Sequence, residues 1–330
     1  MSAVGVDERA QVLDELREAE RFLLVTHENV DGDALGSLVA MQRILTALGK
    51  DSVMLMSERE FPLPYEYRFF DLDGLRTTVP DDVAERTIVF LDCGNIDRNP
   101  SEVVKREDAH ILNIDHHHDN TRFGTVNLVD EGASCTAEIV WDLMRELGIE
   151  PTREIAEALY VGLVTDTGRF MYENTGRRAH LMAAELIEAG VDTHAIYRRL
   201  YEDMPAAKLE LLGRALANMR RFDGGALTFT YLTKGDFQAA GAEESYSEGI
   251  IDHLRSVQGT KVAALARELT DATKPGQQKV SLRSTDGAVD VSVIARAGGG
   301  GGHRQAAGFT TELTNGELVA FLRDQVAAQL

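Results

Sequence analysis

The first half of the chain alternates short apolar segments with longer amphipathic ones, and this alternation restricts the folds open to it. Four segments have the length and apolar composition of buried strands: FLLVT (22–26), TIVFLD (87–92), HILNID (110–115) and TVNLVD (125–130). Three others have helical periodicity: ALGSLVAMQRILTALG (34–49), SCTAEIVWDLMRELG (134–148) and TREIAEALYVGLVTD (152–166). Strands that alternate with helices predict an α/β fold with a mainly parallel sheet flanked by helices.

The second half indicates a further domain. Its pattern is helical over residues 176–221, and then Asp223-Gly224-Gly225 signals a turn before a new strand, ALTFTYL. A chain of 330 residues is long enough for two domains. We predict a first α/β domain over 1–190, a helical connector over 191–221 and a smaller α/β domain over 222–330.

Charge and cysteine content exclude several classes of function. The chain has 54 acidic and 34 basic residues, a net charge of −20. Such a field repels long polyanions and argues against a binder of duplex nucleic acid or of membranes. Cys93 and Cys135 are too few for a disulfide framework, and the first residues do not resemble a signal peptide. No apolar segment has the length of a membrane span, so we expect a cytoplasmic protein.

The segment HENVDGDALGS (27–37) is the first candidate site. It follows a predicted strand and precedes a helix, and ligands of parallel sheets bind at the carboxyl ends of strands. Asp31 and Asp33 lie close enough to repel each other unless a cation lies between them. The alternative is a turn at a helix N-terminus, which explains one aspartate but not His27 as well. Taken alone, this segment leaves both interpretations open.

Three more sites have the same character. Asp92 ends the strand TIVFLD, the segment NIDHHHDN (113–120) ends another strand, and Asp166 lies in GLVTDTGRF after a helix. Each alone fits an ordinary turn or a solvated loop. Together with the first site they offer the nitrogen and oxygen donors of a centre for two divalent ions, whose charge would balance four aspartates. The six candidate ligands are His27, Asp31, Asp33, Asp92, His116 and Asp166.

A glycine run in the second domain is the remaining candidate. IARAGGGGGHRQAAGF (294–309) could be a flexible linker. We instead expect a short helix at RQAAG, preceded by glycines whose N–H groups bind an anion. Arg283, on the strand KVSLRS, could add a bidentate phosphate contact or be an ordinary surface arginine.

The motifs HENVDGDALGS, LDCGN, IDHHHDN, GLVTDTGRF, SLRS and GGGGHRQAAGF, in this order, resemble those of the DHH–DHHA1 phosphoesterase family, in particular its NrnA-like branch. The family usually has proline where this chain has Val30, which is not a ligand. The resemblance implies that His27, Asp31 and Asp92 hold one metal ion. It implies that a second ion is held by Asp33, Asp92, His116 and Asp166, with Asp92 bridging.

The resemblance also implies roles around the metals. Asp115 would orient a ligand histidine. His117 would contact the scissile phosphate and stabilise its charge, or help to protonate the leaving oxygen. A terminal phosphate or nucleotide would be bound by Arg283, Gly300, Gly301, Gly302 and His303. The resemblance therefore implies that the first domain is catalytic and that the active site lies in the cleft between the two domains.

The function implied is hydrolysis of phosphoesters by a hydroxide that two metals activate, with Mn²⁺ as the expected ion and Mg²⁺ or Co²⁺ as alternatives. The expected substrates are very short single-stranded RNA (nanoRNA), pApA, 3′-phosphoadenosine-5′-phosphate (pAp) and cyclic dinucleotides, and the expected assembly is a homodimer. One alternative is an inorganic pyrophosphatase-like hydrolase, against which the GGGGH segment argues. Others are a non-catalytic nucleotide-sensing module and a single-stranded DNA exonuclease.

Overall fold

The computed structural model describes residues 6–269, 276–302 and 304–330. The chain forms two compact units, with the boundary between Asp203 and Met204. His303 lies outside the described residues. The division into two domains and a separate connector stays a prediction.

The first unit is built on a six-stranded sheet whose neighbouring strands pair in parallel, as the alternating segments predicted. The strand order is β3-β2-β1-β4-β5-β6. The strands are β1 (Arg21–Val25), β2 (Asp51–Leu55), β3 (Leu75–Arg76), β4 (Thr87–Leu91), β5 (Ile111–Asp115) and β6 (Val126–Val129).

Helices cover this sheet because its strands are apolar on both faces. Along β1, Phe22 and Leu24 belong to one buried cluster, whereas Leu23 and Val25 belong to a second cluster on the other face. The helices of the unit are α1 (Val6–Glu18), α2 (Gly32–Ala47), α3 (Thr136–Glu146), α4 (Arg153–Asp166), α5 (Arg177–Glu188) and α6 (Thr193–Tyr201). α2, α3 and α4 contribute to the larger cluster.

The second unit has its own six-stranded sheet, in the order β11-β12-β10-β9-β8-β7. β8 and β9 pair in parallel, and the other neighbouring strands among the described residues pair antiparallel. The strands are β7 (Arg220–Phe222), β8 (Leu227–Leu232), β9 (Val262–Glu268), β10 (Gln278–Ser284), β11 (Gly301–Gly302) and β12 (Ala306–Thr311). The helices are α7 (Ala206–Ala217), α8 (Lys234–Ala240), α9 (Ile250–Arg255), α10 (Val291–Ala297) and α11 (Asn315–Ala327).

The glycine run differs from the sequence prediction. No helix begins at RQAAG: β12 begins at Ala306 and pairs with β10 on one side and with β11 on the other. A Cβ on Gly300 would lie 2.1 Å from the carbonyl oxygen of Gly308, so this glycine permits a close backbone approach. The expected anion site at a helix N-terminus is therefore wrong for this segment.

Within the described part of the chain, no helix is both long enough and apolar enough to cross a membrane.

Candidate metal centre

The centre of the first sheet is where the chain reverses its direction of strand addition, between β1 and β4. In open parallel sheets, ligands bind at the carboxyl edge of such a point. β1 ends at Val25 and β4 ends at Leu91, so His27 and Asp92 leave the sheet at this edge. His27 Nε2 lies 3.5 Å from Asp92 Oδ2.

The loop after β1 brings two more carboxylates to this edge. Asp31 is the N-cap of α2, and its Oδ1 accepts hydrogen bonds from the N–H groups of Asp33 and Ala34. Its Oδ2 lies 3.9 Å from His27 Nε2, so Asp31 caps the helix and faces the histidine at once. His27 Nδ1 donates to the carbonyl of Glu28 at 2.8 Å, which leaves Nε2 as the ring atom facing the carboxylates.

His116 connects the remaining donors. It follows directly after β5, whose last residue is Asp115. Its Nε2 lies 3.6 Å from Asp92 Oδ1, 3.7 Å from Asp166 Oδ2 and 4.0 Å from Asp33 Oδ2. The structure thus brings all six predicted ligand side chains into one cluster, although they are far apart in sequence.

Asp92 lies in the middle of this cluster and has an unusual backbone. Its φ is +57°, in the left-handed region that few residues other than glycine adopt. Aspartate and asparagine tolerate this conformation better than most residues. Its two carboxylate oxygens face different partners, with Oδ2 near His27 and Oδ1 near His116. Asp92 is therefore positioned to be shared by two sites.

The N-terminus of α3 holds two of these carboxylates. The N–H groups of Thr136 and Ala137 donate to Asp33 at 2.6 and 2.9 Å, and the Thr136 hydroxyl donates to Asp92 Oδ1 at 3.0 Å. A helix N-terminus offers unpaired N–H groups and a partial positive charge, so it stabilises a buried carboxylate. The sequence analysis missed this contribution, because SCTAEIV indicates a helix but not which carboxylate its first turn meets.

Two asparagines that the sequence analysis also missed support the cluster from outside. Asn120 donates to Asp115 Oδ2 at 2.5 Å. Asn174 donates to the carbonyl of Ser134 at 2.7 Å and to Asp166 Oδ2 at 3.3 Å. Neither contact could be predicted from the sequence, because each asparagine lies on a loop that only the fold brings next to its carboxylate.

Asp115 contacts a different histidine from the one expected. Its Oδ1 lies 2.7 Å from Nδ1 of His117, whereas the prediction was that it would orient a metal-binding histidine. The reason is local geometry, since β5 ends at Asp115 and the chain then turns, which brings residue 117 back toward residue 115. Asp115 therefore orients the ring for which a phosphate contact was predicted.

Burial and mutual repulsion make two of the carboxylates reluctant to ionise. Desolvation raises the pKa of Asp33 well above its usual value, and the charges of Asp92, Asp166 and Asp31 raise it further. Desolvation likewise raises the pKa of Asp166 to about 7, although the charge of His116 opposes this. Ionisation of both carboxylates is therefore unfavourable unless a cation lies between them.

The histidines have the opposite effect on Asp92. Burial alone would raise its pKa, but the close approach of His27 and the charges of His117 and His116 lower the pKa below its usual value. Burial disfavours the charged form of His117, yet its hydrogen bond to Asp115 and the charge of Asp92 raise its pKa to about 9. The charged form of His117 is therefore favoured, and its ring lies 3.6 Å from Asp92 Oδ1.

The donor set fits divalent metal ions. Two groups of side chains could each hold an ion, because the ligand atoms within each group lie within 4.8 Å of one another. The groups are His27, Asp31 and Asp92, and Asp33, His116 and Asp166. Imidazole nitrogen together with carboxylate oxygen suits Mn²⁺ and similar ions. A third group, Asp92, His116 and His117, meets the same distance limit.

The predicted substrate residues lie in the second unit. Arg283 is on β10, opposite Ala306 of β12, and Gly302 of β11 is opposite the next residue, Ala307. Arg283 and Gly302 are thus near one end of this sheet, on either side of β12. The side chain of Arg283 is half-buried and contacts the carbonyl of Leu282.

Comparison with known families agrees with the fold. The model of the DHH family's N-terminal domain matches residues 21–163, and that of the DHHA1 domain matches residues 227–328. The chain is a member of the DHH family and carries a DHHA1 domain. DHH phosphoesterases are metal-dependent, and the described histidine and aspartate groups could bind metal.

Two relatives and one solved structure are similar to this chain over most of their own length. The bifunctional oligoribonuclease and PAP phosphatase NrnA of Thermus thermophilus is 36% identical over 290 residues, which are 87% of this chain and 83% of that protein. The protein of the same name from Bacillus subtilis is 26% identical over 293 residues, 88% of each chain. An exopolyphosphatase-related protein from Bacteroides fragilis has the same fold, with a TM-score of 0.86, 24% identity and coverage of 99% of this chain and 98% of its own.

Proposed function

We propose that this protein is a metal-dependent phosphoesterase that hydrolyses very short oligoribonucleotides, pApA among them, and removes phosphate from pAp. The observation that carries the proposal is the cluster around Asp92, where two groups of donors share one edge of the sheet. The relatives from Thermus thermophilus and Bacillus subtilis are an oligoribonuclease and PAP phosphatase, which supports this class of substrate. Cyclic dinucleotides belong to the same chemical class and are secondary candidates.

In the proposal, His27, Asp31 and Asp92 hold one divalent ion, and Asp33, Asp92, His116 and Asp166 hold the other. Mn²⁺ is the proposed ion, because both imidazole and carboxylate ligands are present, and Mg²⁺ or Co²⁺ are the alternatives. When bound, two such ions would lower the pKa of a water molecule and offset the charge of the phosphate.

The chain's own residues then position and stabilise the reacting groups. His117 is held by Asp115, whose hydrogen bond favours the charged form of the ring. A charged ring carries a proton on Nε2, which can be donated to a phosphate oxygen as negative charge develops there. Since Nδ1 is hydrogen-bonded to Asp115, we assign His117 to the phosphate rather than to a metal. The Thr136 hydroxyl and the first N–H groups of α3 fix Asp92 and Asp33.

The second unit contributes substrate contacts in the same proposal. Arg283, Gly300, Gly301, Gly302 and His303 are assigned to the terminal phosphate or the nucleotide. That they meet the substrate held at the metal centre stays a prediction, as do the homodimer, the exclusion of duplexes and the cytoplasmic location.

The test compares the intact chain with Asp92→Asn. Asparagine tolerates the left-handed backbone of residue 92, so the substitution removes the charge without adding strain. With Mn²⁺ present, mononucleotide release from pApA and phosphate release from pAp are measured. We expect the variant to lose about 100-fold or more in kcat on both substrates, as when a main electrostatic stabiliser is removed.

The matched control is Asp97→Asn, an exposed aspartate five residues along the same loop. It should leave both activities within about twofold, because exposed charges contribute little. Equal activity of the intact chain and Asp92→Asn would contradict the mechanism. Faster hydrolysis of inorganic pyrophosphate than of either nucleotide would favour the pyrophosphatase alternative, and tight binding of pAp without turnover would favour a sensing role.

A further inference from the structure

Arg98 lies on the loop after β4, six residues beyond Asp92, and the sequence analysis gave it no role. It ends a short helical turn, Ile96–Arg98, that is capped by the side chain of Asn95. Two hydrogen bonds fix the position of this turn. The carbonyl of Arg98 accepts the N–H of Glu28 at 2.8 Å, and Asn99 donates to the carbonyl of Thr26 at 2.6 Å.

These two hydrogen bonds clamp the turn against the end of β1 on either side of His27. The backbone of Arg98 is therefore fixed next to a proposed metal ligand. A residue whose backbone is fixed in this way carries its side chain into a limited region, even where that side chain is long.

The side chain of Arg98 is half-buried, yet it makes no ion pair and no hydrogen bond to any residue that the structure describes. This is unusual for the first unit. Arg9, Arg43 and Arg86 have side chains that are 24%, 23% and 5% exposed, and each forms an ion pair with an aspartate. In a chain of net charge −20, a partly buried guanidinium without a carboxylate partner is available for another anion.

The charge of Arg98 acts on the metal centre. The guanidinium interacts electrostatically with both His27 and His117. His27 and His117 both lie next to Asp92, so the guanidinium is within electrostatic reach of the point where the proposed ions and the phosphate meet.

We propose that Arg98 is a substrate-contacting residue of the first unit, which binds a non-bridging oxygen of the scissile phosphate on the side of His27 and His117. Guanidinium groups bind phosphate oxygens through strong, charge-assisted hydrogen bonds, and often through two at once. This contact supplies positive charge that does not depend on the second unit. The inference rests on the proposed function, because it takes a phosphate ester as the substrate.

The test uses the full chain loaded with Mn²⁺ and the variants Arg98→Ala and Arg98→Lys. We expect Arg98→Ala to lose about tenfold to a hundredfold in kcat/KM on pAp and pApA, the loss typical of a charge-assisted hydrogen bond. Lysine keeps the charge without the planar, two-pronged geometry, so Arg98→Lys should recover part of this loss. The inhibition constant of inorganic phosphate should rise in Arg98→Ala by a similar factor.

Two further measurements separate a substrate contact from a structural role. Mn²⁺ affinity, measured by calorimetry, should stay within about twofold of the intact chain in both variants, since Arg98 is not a ligand. Arg76→Ala is the matched control, because Arg76 is an exposed arginine on the edge strand β3. It should change neither kcat/KM nor phosphate inhibition.

The outcomes are distinct. Activity and phosphate inhibition of Arg98→Ala within twofold of the intact chain would overturn the proposal for Arg98. So would a loss of Mn²⁺ affinity that accounts for the whole loss of activity. If the intact chain hydrolyses neither pAp nor pApA, the proposed function fails instead, and phosphate binding to the Mn²⁺-loaded protein still tests Arg98.

Discussion

Asp33 and Asp166 show how a single residue can favour metal binding at the expense of stability. Asp33 is almost fully buried, and the side chain of Asp166 is 30% exposed. Both have a raised pKa, so ionisation of these groups is less favourable in the folded chain than in the unfolded chain. A divalent ion would remove this penalty by lying between the carboxylates.

For Asp166 the sign of the pH effect follows from this shift. Its folded pKa of about 7 lies above the ordinary aspartate value of 3.8. The folded state therefore binds the proton more tightly, and stability is lost as the pH rises from about 4 to about 7. We expect Asp166→Asn to stabilise the metal-free protein, by about 1–2 kcal/mol more at pH 8 than at pH 5 once partial solvent exposure is allowed for.

Urea unfolding of the metal-free protein at the two pH values measures this difference. Asp81→Asn, at an exposed position of the same unit, is the control and should show no such dependence. In excess Mn²⁺ the order should reverse, because the intact chain then gains binding energy that the variant lacks. A variant that is less stable than the intact chain at pH 8 without metal would contradict the assignment.

At the scale of elements, the approach of α2 and α4 sets the distance between Asp33 and Asp166. The two helices touch through glycines. A Cβ on Gly36 of α2 would lie 2.4 Å from the carbonyl oxygen of Ala158, and one on Gly162 of α4 would lie 2.8 Å from Asp33 Oδ1. Small residues at such a crossing let the backbones come close, so the glycines bring the end of α4 to the start of α2.

We expect Gly36→Ala to force these helices apart. The added methyl group has no space, and overpacking of this kind costs about 1–3 kcal/mol, more than the gain of up to about 1 kcal/mol from the better helix propensity of alanine. The affinity for Mn²⁺ should fall as well, because Asp33 and Asp166 lie about one turn from the crossing. Chemical unfolding and Mn²⁺ titration measure the two effects.

Gly213→Ala is the comparison for this prediction. Gly213 lies in α7 at an exposed position, and a Cβ there would meet nothing within 4 Å. This change should be neutral or slightly stabilising, by up to about 1 kcal/mol. If both substitutions had the same effect, the crossing at Gly36 would not be tight.

The elements also show what the sequence could predict. FLLVT and TIVFLD could be identified as strands because each is a continuous apolar run between polar segments, and both faces of the sheet are buried. RQAAG was wrongly predicted as a helix because alanine favours helices locally. Its strand conformation comes from pairing with β10 and β11, which no local pattern encodes.

Some features of the candidate site could likewise be predicted from the sequence, and others could not. That His27 and Asp92 follow strands could be predicted, because parallel strands end at a common edge. The left-handed backbone of Asp92 and the hydrogen bonds from Thr136 to Asp33 and Asp92 could not, because they depend on how α3 packs against the sheet. The role of Arg98 was missed for a similar reason, since its lack of a partner is visible only in three dimensions.

At the scale of the whole molecule, the net charge of the chain repels the substrate that the proposed site would bind. The chain carries −20, while the proposed reaction requires a negatively charged substrate. A short substrate places few phosphates outside the region where Arg98, His117 and bound cations offset this field. Each further nucleotide adds about one charge that meets the acidic surface. The molecule should therefore select short substrates by electrostatics in addition to shape.

The net charge also sets the direction in which salt should change the preference for short substrates. A nuclease with a basic surface binds long RNA less well as salt rises, because releasing counterions into a saltier solution is less favourable. Here the dominant long-range term is repulsion, and salt screens it as the Debye length falls from about 30 Å at 0.01 M to about 8 Å at 0.15 M. We expect kcat/KM for an RNA of about 20 nucleotides, divided by that for pApA, to rise severalfold over this range. Because pApA would meet the same metals and the same Arg98 in the proposed mechanism, the ratio cancels the local effects of salt at the site. A ratio that falls with salt would mean that a basic surface guides long RNA to the site despite the net charge.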